Sequence, residues 1–272
     1  MKEIKDILLE KINEADLVLV GIGEEFENNI PKMEDVPSFA SAINQIEKNE
    51  DIKWMLPHLK KKYDDLNRAE TAKKAYAVLE NLLKDKNYFI VSTRIDDYIY
   101  QTNLLKERIV APCGGYRFCH CADGCGKRLY ESDRSIPDNV YGYFMEGTSL
   151  DEIKRPLCPD CGKDLIFNNI LSEGYVEEEY LEQWEKYMKW LQGTVNRKLC
   201  VLELGVGMLY PTVIRWPFEK VVYFNQKSNI FRIHSKLYQL TEEIKDRGYK
   251  IEKKTDGFSN KLVCLIAISM IN

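Results

Sequence analysis

Short runs of apolar residues and amphipathic stretches alternate along this chain. Residues 1–15 have the three- and four-residue apolar spacing of an amphipathic helix, carried by Ile4, Ile7, Leu8 and Ile12. Residues 17–20 are apolar without a break and lead into a glycine turn at 21–23. The start of the chain therefore predicts a helix followed by a short buried strand.

The same two patterns predict the remaining elements. Continuous apolar runs predict strands at 88–92, 108–111, 199–205 and 221–225. Apolar residues at helical spacing predict helices over 38–86 with an interruption near Pro57, over 176–192, and around Ile233, Leu237, Leu240 and Ile244. Residues 262–271 are apolar throughout, so periodicity leaves helix and strand both open there.

Buried strands separated by helices indicate the fold class. Strands that are apolar without alternation are typical of a parallel sheet covered by helices on both faces. Such sheets bind ligands at the carboxyl ends of their strands. Three strand ends carry unusual residues: Gly21-Ile22-Gly23, Thr93-Arg94-Ile95-Asp96 and Gly205-Val206-Gly207. The stretch from 113 to 168 loses periodicity and is rich in Gly, Cys, Pro and Asp, which predicts an insertion between sheet elements.

Composition and charge narrow the class of protein. The chain has 272 residues, 44% of them apolar, and a net charge of −4, so it falls in the globular range. This balance of charge gives no general attraction to nucleic acid or to an anionic membrane. The charged amino terminus lacks an apolar signal core, and the apolar run at 262–271 is half the length of about 20 residues that a membrane span needs. We expect a cytoplasmic protein whose cysteines are thiols or metal ligands.

Two cysteine pairs predict a metal site. Cys121-x-x-x-Cys125 is followed, after 32 residues, by Cys158-Pro-Asp-Cys161-Gly. Each pair is close enough to place two sulfurs on one tetrahedral ion, and four thiolates are typical of structural zinc. The alternative is a set of buried or incidental thiols. Cys119 and His120 lie beside the first pair, but the spacing of Cys119 and Cys121 suits chelation poorly, so Cys121 and Cys125 are preferred. Core positions are expected for the remaining thiols considered, Cys200 and Cys264.

The first glycine turn is a weak signal for a dinucleotide. Gly21 and Gly23 lack the third glycine of that motif, and Glu24 and Glu25 follow them. Acidic side chains at a helix start favour the helix dipole but repel a pyrophosphate at the same place. The turn alone is equally compatible with an ordinary connection from strand to helix.

Taken in chain order, the motifs resemble the sirtuins. The corresponding segments are Gly21-Ile22-Gly23, Thr93-Arg94-Ile95-Asp96, Cys113-Gly114, the four cysteines, Gly205-Val206-Gly207 and Phe224-Asn225. The stretch 202–208 with Pro211, Leu129-Tyr130 after the first cysteine pair, and 169–176 are similar to the bacterial macrodomain-linked class of that family. Members of this class are protein ADP-ribosyltransferases, whereas ordinary sirtuins are lysine deacylases.

The resemblance implies an α/β fold: a Rossmann-like parallel sheet covered by helices, with an inserted helical segment and a small zinc-binding module. We expect one domain over 1–272, with the core at about 1–34, 86–115 and 195–272, the helical segment at 35–85, the zinc module at about 116–175 and a connecting helix at 176–192. It also implies NAD or ADP-ribose as ligand, structural zinc at Cys121, Cys125, Cys158 and Cys161, and a protein substrate. From the balance of charge and the absence of a long apolar run we expect no nucleic acid or membrane partner. The implied cofactor-binding residues are Gly21, Ile22, Gly23, Glu24, Gly205, Val206, Gly207 and Asn225.

The implied catalytic positions, Arg94, Asp96 and Cys113, depart from the family. Arg94 stands at the family asparagine, and Cys113 at the catalytic histidine, which is glutamine in the macrodomain-linked class. An unpaired cation about 5 Å from the developing sugar cation costs roughly 3 kcal/mol at an effective dielectric near 20. A thiol, with its pKa lowered beside Arg94, is a poor base. These substitutions predict weak or altered transfer activity; the alternative is an inactive protein that binds NAD, ADP-ribose or a partner.

Overall fold

The computed structural model describes residues 3–26 and 30–252, and within these ranges the chain forms two sheets. Their strands are β1 (Leu17–Ile22), β2 (Tyr88–Ser92), β3 (Ile109–Val110), β4 (Gly114–Cys121), β5 (Tyr130–Glu131), β6 (Leu165–Asn169), β7 (Leu199–Leu204), β8 (Ser228–His234) and β9 (Gly248–Glu252). The helices are α1 (Ile4–Glu14), α2 (Pro37–Glu47), α3 (Leu56–Leu83), α4 (Ser135–Tyr141), α5 (Glu178–Gln192) and α6 (Arg215–Phe224).

The main sheet has six strands in the order β3-β2-β1-β7-β8-β9, and every neighbouring pair is parallel. This is the doubly wound order of Rossmann folds, in which the connection reverses direction between β1 and β7. Every residue of β1, β2 and β7 is buried, which accounts for their apolar runs without alternation. The predicted α/β fold class is confirmed.

Helices cover both faces of this sheet. Apolar residues of α1 and of the second half of α3 pack on one face, among them Leu8, Ile12, Tyr76 and Leu79. On the other face α5 and α6 pack with Tyr187, Phe218 and Val222. Met188, although apolar and next to Tyr187 in α5, is 41% exposed.

A second core lies in the inserted helical segment. Phe39 of α2, Leu59 and Tyr63 of α3, and Val140 of α4 are buried together there. Pro57 lies in the first turn of α3, where the N–H that proline lacks would have no partner within the helix. The interruption that the sequence predicts near Pro57 lies just before it, as a 3-10 helix at Glu50–Met55. Because α4 joins this core, the stretch between β5 and β6 contributes to the helical segment. The limits given above for the sheet core, the helical segment and the zinc module stay a prediction.

The cysteine-rich insertion forms a three-stranded antiparallel sheet in the order β5-β4-β6. Its small core consists of Tyr116, Cys119 and Phe167. So little apolar burial cannot hold a module of this size alone, which is the usual setting of a structural metal.

Two predicted elements near the carboxyl end are wrong. Residues 221–225 were predicted as a strand, but 221–224 are the last turn of α6, whose buried positions Phe218 and Val222 are four residues apart. The strand is β8, and the helix predicted around Ile233, Leu237, Leu240 and Ile244 does not form, because Ile233 belongs to β8. Residues 262–271, with Cys264, lie outside the described residues.

None of the helices in the described part of the chain combines the length and the apolarity that a membrane crossing requires.

Candidate functional site

The two glycine loops meet at the carboxyl ends of β1 and β7. Gly23 donates its N–H to the carbonyl of Leu204 at 3.0 Å, and Glu25 donates to the carbonyl of Gly205 at 2.9 Å. A Cβ on Gly23 would lie 2.5 Å from the Gly205 oxygen, and Gly205 has a φ of +64°. These glycines allow the loops to pack directly against each other.

Gly21 has a different role from the one predicted. It lies inside β1, where a Cβ would meet Ile214 at 2.5 Å and Phe218 at 2.9 Å. Gly21 therefore lets α6 approach the sheet, and it offers no surface for a ligand.

Two carboxylates occupy the edge of this loop junction. The Glu24 carboxylate lies against Gly207. The Glu25 carboxylate accepts hydrogen bonds from the backbone N–H of Ser235 at 2.9 Å and from its hydroxyl at 2.7 Å. His234 Nδ1 lies 3.2 Å from the same carboxylate. The loops of β1, β7 and β8 thus converge at one place.

Arg94 and Asp96 form a buried ion pair at the end of β2. Arg94 Nε donates to Asp96 Oδ2 at 2.5 Å, and the two side chains are 7% and 9% exposed. Arg94 also donates to the backbone carbonyl of Glu24 at 3.5 Å, which ties the β2 end to the first glycine loop. Asp96 Oδ1 accepts from the N–H of Tyr98 at 3.2 Å. The charge of the arginine is therefore balanced within the site.

Asp97, the neighbour of Asp96, is held at the junction with the cysteine-bearing sheet. It has a φ of +63°, accepts the N–H of Tyr116, and lies 3.6 Å from Arg117 Nε. Burial raises the pKa of Asp97 to about 7, although Arg117 and the Tyr116 amide act in the opposite direction. Arg117 also lies 3.3 Å from Glu179 of α5, so this cluster joins three parts of the fold.

Cys113 follows β3 at the same edge of the sheet and is 1% exposed. Burial raises the pKa of its thiol to about 12, the opposite of the lowering expected beside Arg94. The expected lowering of the pKa of this thiol is therefore wrong. Cys113 is a neutral thiol in this structure and cannot act as a base near neutral pH.

Asn225 does not belong to this site. It caps the carboxyl end of α6 and precedes β8, so it lies at the opposite edge of the sheet from the glycine loops. Its amide donates to the carbonyls of Thr194 and Arg197 at 3.0 Å each. The prediction that Asn225 ends a strand and binds a ribose is wrong, because the residue is in a helix cap.

The four predicted cysteines come together in a separate cluster. Their sulfurs all lie within 4.8 Å of one another; Cys121 and Cys161 are 3.4 Å apart, and Cys125 and Cys158 are 3.6 Å apart. Sulfurs that share one tetrahedral zinc at 2.3 Å are about 3.8 Å apart, so this arrangement fits the ion. Burial acts to raise the pKa of Cys158, but the amides of Asp160 and Cys161 lower it to about 6, which favours a ligating thiolate.

Cys119 and His120 have contacts outside this cluster. Cys119 Sγ lies 3.2 Å from the hydroxyl of Ser132, and His120 Nε2 lies 3.0 Å from the carbonyl of Glu173. Neither is among the described groups that could hold an ion.

Comparisons with known proteins agree with this geometry. The chain is 23% identical over 259 residues to the "Protein ADP-ribosyltransferase" of Staphylococcus aureus, covering 89% of this chain and 81% of that protein. It is 23% identical over 185 residues to "NAD-dependent deacetylase sir2E" of Dictyostelium discoideum, covering 66% of this chain and 51% of that protein. No family model matches the chain.

Solved structures give the fold. A structure described as Sir2Tm bound to a propionylated peptide superposes with a TM-score of 0.53 at 13% identity and covers 98% of both chains. The chain has the sirtuin fold. A second Sir2 structure, with a deacetylated peptide and an acetylated ADP-ribose, superposes with a TM-score of 0.50 at 11% identity and covers 99% of both chains. The resemblance to the sirtuins inferred from the sequence motifs is confirmed.

The sirtuin-like edge also contains residues that sequence patterns missed. His234 and Ser235 end β8 beside the glycine loops, but the pattern of Ile233 and Leu237 placed them in a helix. Knowing that β8 is a strand would have identified them, since residues after a parallel strand lie at the ligand-binding edge.

Proposed function

We propose that the chain binds NAD or ADP-ribose across the carboxyl ends of β1 and β7 and carries out sirtuin-type, NAD-dependent ADP-ribosyl or acyl transfer to a protein, with weak or altered activity. The observation that carries this proposal is the contact between the two glycine loops at the point where the sheet reverses direction, beside the Arg94–Asp96 pair. This is the place where doubly wound sheets bind dinucleotides.

In this proposal the ligand contacts the loop after β1, at 23–24, on one side and the loop 205–207 on the other. Gly23, Gly205 and Gly207 are buried in the loop junction, so a ligand would lie along the rim of this junction, where the Glu24 carboxylate opposes its phosphates. The chemistry would take place near Asp96. A bound zinc at the four cysteines would stabilise the β4–β6 sheet and leave no open coordination position, so it has no part in catalysis.

In this proposal weak activity follows from two side chains at this edge of the sheet. Arg94 opposes the positive charge that develops on the ribose as nicotinamide leaves, and pairing with Asp96 offsets much of that effect. Cys113 supplies no base, because its thiol stays protonated. The protein proposed here is cytoplasmic, acts on a protein acceptor, and has no nucleic acid or membrane partner.

The second candidate is a protein that binds NAD or ADP-ribose, or docks a partner, without turnover. The neutral thiol of Cys113 favours it, since a transferase of this type needs a group that activates a ribose hydroxyl or a nucleophile.

Nicotinamide release separates the two candidates. Purified protein is incubated with millimolar NAD and a panel of protein and acyl-lysine peptide acceptors, and ADP-ribose binding is measured by calorimetry. We expect slow release that Asp96→Asn abolishes. Binding without release favours the second candidate, and neither binding nor release contradicts both.

A further inference from the structure

The turn that ends β8 directs hydrogen-bond donors at one point. The backbone N–H of Ser235 donates to Glu25 Oε2 at 2.9 Å, and its hydroxyl donates to Oε1 at 2.7 Å. Two donors of one residue therefore hydrogen-bond to both oxygens of a carboxylate. A backbone N–H and a hydroxyl group can bind two oxygens of a phosphate in the same way.

His234 adds a third polar group to the same turn. Its ring is 4% exposed, and Nδ1 accepts the N–H groups of Lys236 and Leu237 at 3.1 Å each. Nδ1 also lies 3.2 Å from the Glu25 carboxylate. A Cβ placed on Gly207 would lie 3.2 Å from Nε2, so the ring lies beside the second glycine loop.

The carboxylate of Glu25 therefore occupies the place in which an anionic ligand at this turn would receive hydrogen bonds. Its backbone N–H is bound to the Gly205 carbonyl at 2.9 Å, so the backbone of Glu25 can stay in place when the carboxylate moves away from Ser235. Glu24 does not share these donors, because its carboxylate lies against Gly207 instead.

We propose that Ser235 and His234 form an anion-binding turn whose built-in occupant is the Glu25 carboxylate, and that a phosphate-bearing ligand binds only by displacing it. The identification of that ligand as NAD or ADP-ribose rests on the proposed function. Glu25 is then an autoinhibitory residue, which sets the affinity of the site without touching the reacting atoms.

Calorimetry on the full chain tests this, with ADP-ribose and sodium pyrophosphate as two separate probes. Glu25→Ala is compared with the wild type and with Glu47→Gln, which removes one exposed carboxylate at the end of α2. We expect Glu25→Ala to bind ADP-ribose at least tenfold more tightly than the wild type, and Glu47→Gln to stay within twofold. Glu25→Ala should also bind pyrophosphate, and adding Ser235→Ala should weaken that binding several-fold. Unchanged circular dichroism spectra establish that each variant folds.

Each result decides the proposal. If the wild type binds ADP-ribose and Glu25→Ala binds it equally or more weakly, the ligand does not compete with the Glu25 carboxylate. The inference about Glu25 is then refuted, while the proposed function stands. If Glu25→Ala binds pyrophosphate through Ser235 but no variant binds ADP-ribose, the anion-binding turn is supported and the proposed function fails. If neither probe binds any variant, both are refuted.

Discussion

Arg94 illustrates how a neighbour changes the meaning of a substitution. In the sequence it is a cation at a position where positive charge develops, which is a penalty of roughly 3 kcal/mol if unpaired. In the structure Asp96 neutralises it and both side chains are buried. The Arg94–Asp96 pair is therefore close to neutral, and under the proposed function the missing base at Cys113 becomes the larger defect.

The double variant Arg94→Asn with Cys113→His tests which defect limits turnover. We expect nicotinamide release to rise about tenfold, with Cys113→His supplying most of the gain, because an imidazole titrates near neutral pH whereas the buried thiol does not. Single variants assayed in parallel apportion the effect. Weaker ADP-ribose binding by Arg94→Asn, with no gain in rate, would mean that Arg94 is a phosphate ligand.

His58 predicts a pH dependence of stability. It is 5% exposed, packs against Trp54 and Phe167, and has a pKa lowered from 6.5 to about 4 by burial. The unfolded chain binds the proton more readily, so stability is present above pH 6.5 and is lost as the pH falls towards 4. Between pH 7 and pH 5 this histidine should lower the free energy of unfolding by about 2 kcal/mol.

Urea denaturation at pH 7 and pH 5 measures this loss. The variant His58→Leu should lose about 2 kcal/mol less than the wild type over the same interval, since it has no group to protonate. Equal losses in both proteins would show that other groups account for the acid sensitivity.

At the scale of elements, glycines occupy the positions where a neighbouring helix or loop comes closest to the backbone. Gly21 is required by α6, which lies on β1, whereas Gly23 and Gly205 are required by the contact between two loops. The cysteine-bearing sheet has too small an apolar core to be stable alone, so its geometry depends on the sulfur cluster. The two glycine loops are thus joined by close backbone contact, whereas the β4–β6 sheet is expected to depend on a bound ion.

We predict a structural zinc ion in the cysteine-bearing β4–β6 sheet. Elemental analysis should find about one zinc per chain, because four thiolates complete one tetrahedral site. Cys158→Ser should lose the zinc, and its β4–β6 sheet should become sensitive to proteolysis. Cys119→Ser should keep the zinc and the resistance to proteolysis, because Cys119 contacts Ser132 and not the cluster. Wild-type protein without metal, or zinc loss in both variants, would contradict the assignment.

At the scale of the whole molecule, a buried charge cluster holds the segment after β8 against the main sheet. Glu203 is fully buried and accepts from Arg232 Nε at 2.6 Å and from Arg215 Nη1 at 3.3 Å. Arg232 also donates to the backbone carbonyl of Gln239 at 2.6 Å, and Arg215 donates to that of Leu237. The cluster therefore links β7, β8 and α6 with a segment that has no regular structure of its own.

Removal of the central charge should be costly. Glu203→Gln leaves two buried arginines without their shared carboxylate, and we expect a loss of about 3 kcal/mol or more in the free energy of unfolding. Glu219→Gln is the matched control: its carboxylate is 20% exposed and pairs only with Arg232, at 2.8 Å, so the loss should be smaller. Equal losses for the two variants in urea denaturation would refute a central role for Glu203.

Local pattern alone determined a large part of this protein. The central strands β1, β2 and β7 and the helix α5 were predictable, because a continuous apolar run or a helical period reports directly which faces of an element are buried. The cysteine pairs were predictable for a similar reason, since chelation by neighbouring thiols depends on spacing in the chain. The sirtuin-like order of motifs then placed these elements in one sheet.

Tertiary structure decided the rest. Residues 221–224 are apolar enough for a strand, but packing of Phe218 and Val222 on the sheet makes them a helix, and Asn225 moves to the opposite edge with it. The partners of Glu203 and Glu25 lie on elements far away in sequence, at Arg232 and Ser235. Spacing cannot reveal such partners, because they are set by which strands become neighbours in the sheet, and that depends on the packing of the whole chain.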